Sequence, residues 1–512
     1  MANPIKIHSA PGIKRDGTVL EGQNYIDGQW CRFQRGRPRK IGGYQAVTST
    51  VPEVARGMTS WSANGLRYLH IGGASNLTQY VVTSSGSLSA QNDRTPAGFS
   101  DPMALWQFDH FFDAVAIFTD VVAHPGHNLN DIDSTVNSKI YLGESVDSGI
   151  LVDSTLPEVS GGITTIGPYL FSFGNNGRIG WSNVNDPTTL DSEAFITQQK
   201  VVAGQPLRGA GQGPAGIFWS LDALIRASFV GGLAVWQFDT LASDISILSS
   251  QGVIEYDGTY FWPGVDRWLM FNGVVRDVPN DFNINFFFDN LNFSERQKVF
   301  AFKVPRFHEL WWCFPKNGAT ECNHAVIFNV KEGSWYDTAL PTERKPGNVP
   351  GRTAGIYARV YNKPFLVDAD DVGAPGTDAF TLWQHETGVD EIDGSSIVAV
   401  ESFFETAEIG MPVDDQQPSN AEMRVARIEP DFVQSNEMTL NVRGRVNSKA
   451  PFIEGAAVMF PETPTESTDE TIKLKTIRRL MSFKFTSNIV GGDYEFGETL
   501  AQLDIAGERV ES

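Results

Sequence analysis

The chain has 512 residues, 61 acids against 40 bases, and a formal charge of -21. Hydrophobic residues make up 41% and aromatics 11%, enough for a packed core, which excludes global disorder. No apolar run approaches the roughly 18–20 residues that a membrane helix needs, and so acidic a balance argues against a surface that binds nucleic acid everywhere.

The leading residues MANPIKIHSAPGIKRDG hold no apolar stretch, so no secretory signal is expected. Residues 1–45 carry eight bases against three acids. Their sharpest piece is CRFQRGRPRKIGGY, where Arg35, Arg37, Arg39 and Lys40 crowd a Gly-Arg-Pro turn. Residues 1–50 therefore read as a basic N-terminal arm. It is either a solvated segment or a docking arm for an acidic partner or nucleic acid, and spacing alone leaves both open.

From residue 51 the chain reads as almost entirely β. Short alternating or aromatic runs predict strands at Leu66–Ile71, Leu77–Val82, Ala114–Phe118, Tyr169–Phe173, Ile217–Ser220, Leu233–Phe238, Arg267–Phe271, Glu309–Phe314 and Ala325–Asn329. Between them stand Asn64-Gly65, Asn176-Gly177, Asp257-Gly258, Asn272-Gly273 and Asn317-Gly318. Such pairs suit two-residue hairpins, whose central positions take positive φ. The one helical candidate is Phe293–Lys303. A loose theme of turn, aromatic strand and hairpin recurs every roughly 45–60 residues, the length of a four-stranded propeller blade. Large rings suit the wedge between radially arranged sheets. The expectation for 51–405 is an irregular β-propeller of about six blades, with an open array of sandwiches as the alternative.

All 12 tryptophans lie at or before Trp383. Beyond residue 405 the strands lengthen, at Arg424–Glu429, Met438–Arg445, Thr471–Lys475 and Arg479–Thr486. Residues 406–512 are therefore expected to form a second β domain, a barrel or sandwich. In TIKLKTI the apolar Ile472, Leu474 and Ile477 are read as one buried face, with Lys473 and Lys475 on a wet, basic one. Arg478, Arg479 and Lys484 follow, and Arg443 and Arg445 repeat the period on another strand. The stretch PETPTESTDE reads as an exposed acidic hairpin tip.

Motifs for chemistry are scarce. The chain has no Walker A, no HExxH and no GxSxG. The three cysteines, Cys31, Cys313 and Cys322, are too scattered for a disulfide framework and predict a reducing compartment. Cys313, Cys322 and His324 lack the tight thiol pairs zinc prefers. His124, His127, Asp131 and Asp133 read as a polar loop rather than an ion site. Asp266-Arg267-Trp268 and Trp311-Trp312 could line a sugar cleft, but aromatic runs on strands are usually core. No metal, cofactor or catalytic residue is expected.

Several phrases form a recognisable set. They are RFQRGRPRKIGGY, YLFSFGNNGRIGWSNVNDPTT, the Gln251-Gly252-Val253-Ile254 run ahead of Tyr256-Asp257-Gly258, HELWWCFP with CNHAVIFNVKEGSWY, and MRVARIEPDFVQS with IRRLMSFKFTSNIVGGDYEFG. Together they resemble the nozzle or hub proteins of short-tailed bacteriophage tails, also called tail tubular protein B or packaged-DNA stabilisation protein. The resemblance implies a propeller with a β platform domain and a homo-oligomeric ring, usually a hexamer. It implies an axial channel for the phage's genomic DNA, a gate that retains the DNA and releases it, and contacts to an adaptor or connector ring and to fibres or spikes. The protein would be made in the bacterial cytoplasm, reside in the virion tail and need no catalytic residue or membrane span. Arg35, Arg37, Arg39, Lys40, Lys473, Lys475, Arg478 and Arg479 would then be subunit-interface or channel residues. The interface is favoured for the Lys473–Lys475–Arg479 set, because a strongly acidic chain must offset its own repulsion in a ring. A carbohydrate-binding receptor propeller and a polysaccharide-cleaving tail enzyme are the alternatives.

Overall fold

The computed structural model describes the chain except residues 1–4, 8, 114–117, 127–135, 145–146, 210–212, 342–350, 375, 411, 414–416, 419–420, 463–471 and 509–512. The described residues are almost all strand. Six successive antiparallel four-stranded meanders come first. Their opening strands are Met58–Ala63, Gln107–Asp113, Gly162–Ile166, Val201–Pro206, Ile254–Tyr256 and Phe300–Val304. A seventh sheet begins with Arg352–Ala358, Lys363–Asp368 and Phe380–His385. Its fourth strand is Tyr44–Val51, antiparallel to Phe380–His385, and the hairpin of Asp390–Asp393 and Ser396–Ala399 lies beyond it. The expected count was about six; a seventh sheet exists because a strand from residues 44–51 completes it.

The opening strands touch in circuit. Met58–Ala63 meets Gln107–Asp113, which meets Gly162–Ile166, which meets Val201–Pro206. The fourth sheet reaches the fifth through the 3-10 turn Ser250–Gly252, just ahead of Ile254–Tyr256. Ile254–Tyr256 meets Phe300–Val304, then Arg352–Ala358, which returns to Met58–Ala63. Aromatics fill the space between neighbouring sheets. Trp219 and Trp262 join the fourth and fifth with ring centroids 5.7 Å apart. Trp268 sits 4.5 Å from Trp312 and 5.2 Å from Trp335 between the fifth and sixth. Two-residue hairpins form as expected at Asn64-Gly65 and Asp257-Gly258, where both residues take positive φ. Asn176-Gly177 also takes positive φ at both positions but lies in a longer turn, the 3-10 helix Asn175–Gly177, and at Asn272-Gly273 only the glycine does.

The helical expectation needs correction. Phe293–Lys298 is a 3-10 helix, and Phe300–Val304 is the first strand of the sixth sheet, with Phe300 and Phe302 alternating into the core. The α-helix lies just upstream, at Ile284–Asn290. Its free N–H groups at Asn285 and Phe286 donate to the Asp16 carboxylate at 2.7 and 2.8 Å, a cap supplied from far away in sequence.

Two further sheets form at the C-terminal end. One is ordered Ile472–Arg478, Ala421–Ser435, Asp493–Glu508, Arg37–Lys40, Cys31–Gln34, with Ile5–Ile7 also on Asp493–Glu508. The other is ordered Asp27–Gln29, Ser402–Glu405, Leu480–Ser487, Met438–Arg445, Ile453–Glu454. Their inner faces meet through Phe404, Phe432, Phe485 and Phe496, with centroids 5.1–5.8 Å apart across Phe404–Phe496, Phe432–Phe485 and Phe485–Phe496. Residues 1–50 are thus no solvated arm. They supply strands to both C-terminal sheets and one to the seventh sheet, and a single core joins Trp30, Phe302, Trp383, Phe404 and Phe485.

Candidate interaction surface

The basic residues near residue 40 follow strand alternation. Arg37 and Arg39 lie on a strand beside Asp493–Glu508, with Arg39 opposite Glu495. Arg35 pairs with Glu495, Arg37 with Glu498 at 3.0 Å, and Lys6 with the same Glu498 at 2.6 Å. Arg39 donates to Gln34 at 2.9 Å and stands 3.9 Å from Glu495. Lys40 is buried, and its Nζ donates to the Gly492 carbonyl at 2.7 Å. Burial pushes the Lys40 amine below its usual range, against the pull of Asp390 and Asp493. The acidic partner of this segment is the chain's own last long strand.

The second group lies at a sheet edge. Ile472–Arg478 is the outermost strand of its sheet, with Lys473 opposite Arg427 and Ile477 opposite Arg424. Ile472 and Leu474 are buried as expected. Ile477 is 38% exposed, because a strand alternates every two residues and position 477 shares parity with 473 and 475, not with 472. The side chains of Lys473 and Lys475 lie outside the described residues. Arg478 is half-buried and donates to the Ile477 carbonyl at 2.7 Å, and Arg479 is half-buried as well. On the adjacent strand Arg424 is exposed and Arg427 holds Glu429 at 3.3 Å. Arg443 and Arg445 are not on a wet basic face. Each closes an internal ion pair, with Glu405 and Glu408.

The strongest electrostatics went unseen in the sequence. Arg32, 1% exposed, pairs with Glu309 at 2.9 Å and with Glu386. Trp311 and Tyr336 donate to the same Glu309 carboxylate at 3.0 and 2.7 Å. Arg15 bridges Asp337 at 2.8 Å and Asp27 at 2.7 Å, and His324 reaches Asp337 at 2.8 Å. Although burial alone would raise it, Arg15 and His324 hold the Asp337 carboxyl down at about 2. Both networks tie residues 1–43 to the sixth sheet. The only signal for them was the placement of Arg32 between apolar Cys31 and Phe33.

A cavity of about 1070 Å³ opens where these parts meet, lined among others by Trp30, Tyr44, Glu391, Glu401 and Phe403. Tyr44 donates to Glu391 at 2.9 Å. Of the sugar-cleft candidates the tryptophans are core, with Trp268, Trp311 and Trp312 1–3% exposed, whereas Asp266 is exposed and Arg267 lies 3.4 Å from Asp277 at the surface. His124 spends both ring nitrogens on backbone, at Val159 and Gly126, while His127, Asp131 and Asp133 lie outside the described residues. Among the described residues no three His, Cys, Asp or Glu side chains group as metal ligands, and no helix is long and apolar enough to cross a membrane. No family model matches the chain, and no curated protein matches it.

Proposed function

We propose that this chain is the ring-forming nozzle or hub subunit of a short-tailed phage tail, a seven-bladed β-propeller joined to a C-terminal β-sandwich platform. Six copies would enclose the axial channel, retain and release the genome, bind the adaptor ring above and carry fibres or spikes. The resemblance of the quoted phrases supports this reading.

The observation that carries it is the role of residues 1–51. They supply the strand Tyr44–Val51 that joins the two ends of the circuit, and they add strands to both C-terminal sheets. Buried ion pairs at Arg15 and Arg32 fasten the same segment to the sixth sheet. A conduit wall must bear load without its modules parting, and a segment that joins the last two sheets of the circuit to both C-terminal sheets serves that need. The acidic charge suits a channel that must not hold DNA, since each phosphate contact adds a counterion-release contribution to binding.

The test is negative-stain imaging of the purified chain over a range of concentrations, alone and with a tail adaptor ring. Rings of about six subunits with a central hole are expected. Monomers under every condition, adaptor included, would overturn the proposal.

A further inference from the structure

Positive charge is concentrated at one end of the sheet circuit. Three cations from different sheets converge on a single carboxylate oxygen, Glu255 Oε2. Lys303 Nζ lies 3.2 Å away, Arg359 3.9 Å and Arg208 4.0 Å. Glu255 and Lys303 stand on the opening strands of the fifth and sixth sheets. Arg208 follows the fourth sheet's opening strand by two residues, and Arg359 follows the seventh's by one.

Only Lys303 is within hydrogen-bond reach of Glu255; the two guanidinium groups are beyond it. Arg208 and Arg359 are 53% and 61% exposed, and among the described residues neither side chain has another acceptor. Burial would raise the Glu255 carboxyl, but the Gly258 N–H at 2.9 Å and then Lys303 hold it below its usual range. The carboxylate therefore stays charged, and three positive groups share one negative one.

A second observation lies beside the first. Arg208 also lines a cleft of about 430 Å³ between the fourth and fifth sheets, with Arg226, Phe271, Asn272, Gly258 and Gly273. Among the described residues no carboxylate lines this cleft, and Arg226 Nε is shielded from solvent with no hydrogen-bond acceptor, although Asp239 stands opposite Arg226 on the next strand. Gly258 and Gly273 take φ of 79° and 108°, and a Cβ at either would meet nothing, so the mouth is open at the hairpin tips. Arg208 shares Glu255 with two other cations and the Arg226 Nε is unmet, so an anion in the cleft would satisfy both guanidinium groups. The guanidinium fork matches a carboxylate or phosphate.

We propose that this cleft binds a sugar-sized solute bearing one carboxylate or phosphate group, with the anion between Arg208 and Arg226 and the Asn272 amide on a hydroxyl. The volume lies in the range of small-ligand sites, and Phe271 provides an apolar wall. Binding at the cleft is read on the full chain in whatever state it adopts.

Calorimetric titration tests it with glucuronate, inorganic phosphate and neutral glucose as probes. Saturable binding of glucuronate or phosphate, with none of glucose, is expected. Tighter glucuronate than phosphate assigns a carboxylated sugar, and the reverse assigns a phosphorylated one. The exposed-site variant Arg208→Gln should keep the melting temperature and weaken binding about tenfold, with Arg226→Gln adding to it. Absence of saturable binding for both anions up to about 10 mM, or wild-type affinity in a folded Arg208→Gln protein, would overturn the proposal.

Discussion

Arg32 is held inside by the carboxylates of Glu309 and Glu386, and Glu309 also accepts from the Trp311 N–H and the Tyr336 hydroxyl. Removing the arginine alone strands Glu309 in the core and leaves the part-exposed Glu386 without its partner. Arg32→Met should therefore cost about 3–5 kcal/mol, read as a fall in the urea midpoint. Adding Glu309→Gln to it should recover part of that loss. The histidines set the acid side. Burial pushes both His110 and His124 down from 6.5 to about 4, so the unfolded chain binds protons there that the folded one does not. Stability is then present above pH 6.5 and is lost as pH falls towards 4, by roughly 3 kcal/mol for a fully buried ring. Asp368 works in the opposite sense. Burial, against the pull of Arg352, raises it to about 6, so its contribution falls as pH rises from about 4 to 6. Five histidines held low, His70, His110, His124, His324 and His385, outnumber the raised carboxyls of Asp109, Glu309, Asp368 and Glu405, which gives a net rise in urea midpoint from pH 4 to 6.5, and His124→Gln should reduce it. Little of this was legible in the sequence, since Arg32 is buried against partners 277 and 354 residues away, and His110, though on a local hairpin, is covered by Trp61 of another sheet.

At the scale of elements, the hairpins were the most readable part. Asn64-Gly65 and Asp257-Gly258 announce themselves because few other residues tolerate the backbone they need. Strands at Leu77–Val82, Tyr169–Phe173, Glu309–Phe314 and Met438–Arg445 fall where the alternation put them. The Ile477 face was misread because a strand's parity was overridden by residue type. The helix Ile284–Asn290 was missed because its cap, Asp16, is not local. The basic edge at 472–478 has two physical uses: lysines discourage stray pairing at a free edge, or they meet an acidic neighbour. Lys473→Glu combined with Lys475→Glu separates them. An interface role predicts loss of rings with the subunit's melting temperature unchanged, and rings that survive the reversal exclude it.

On the scale of the whole molecule, the boundary expected at residue 406 marks a change of texture but not an independent unit. The composition break is real, yet strands Ile5–Ile7, Asp27–Gln29, Cys31–Gln34 and Arg37–Lys40 belong to the C-terminal sheets. A fragment of residues 400–512 should therefore remain unfolded by circular dichroism and gain strand signal when a peptide of residues 1–43 is added. A fragment that folds alone would show that the shared strands are dispensable.

The strand Tyr44–Val51 also imposes a timetable. It leaves the ribosome long before Phe380–His385, its partner in the seventh sheet, and the strands on Asp493–Glu508 wait longer still. At roughly 5–20 residues per second that interval is on the order of half a minute, during which the early segment has nothing to pair with. The circuit can be locked only after residue 385 has been made. A chain cut short before that point would keep an unlatched sheet, so the molecule distinguishes such copies from finished ones before any neighbour has to.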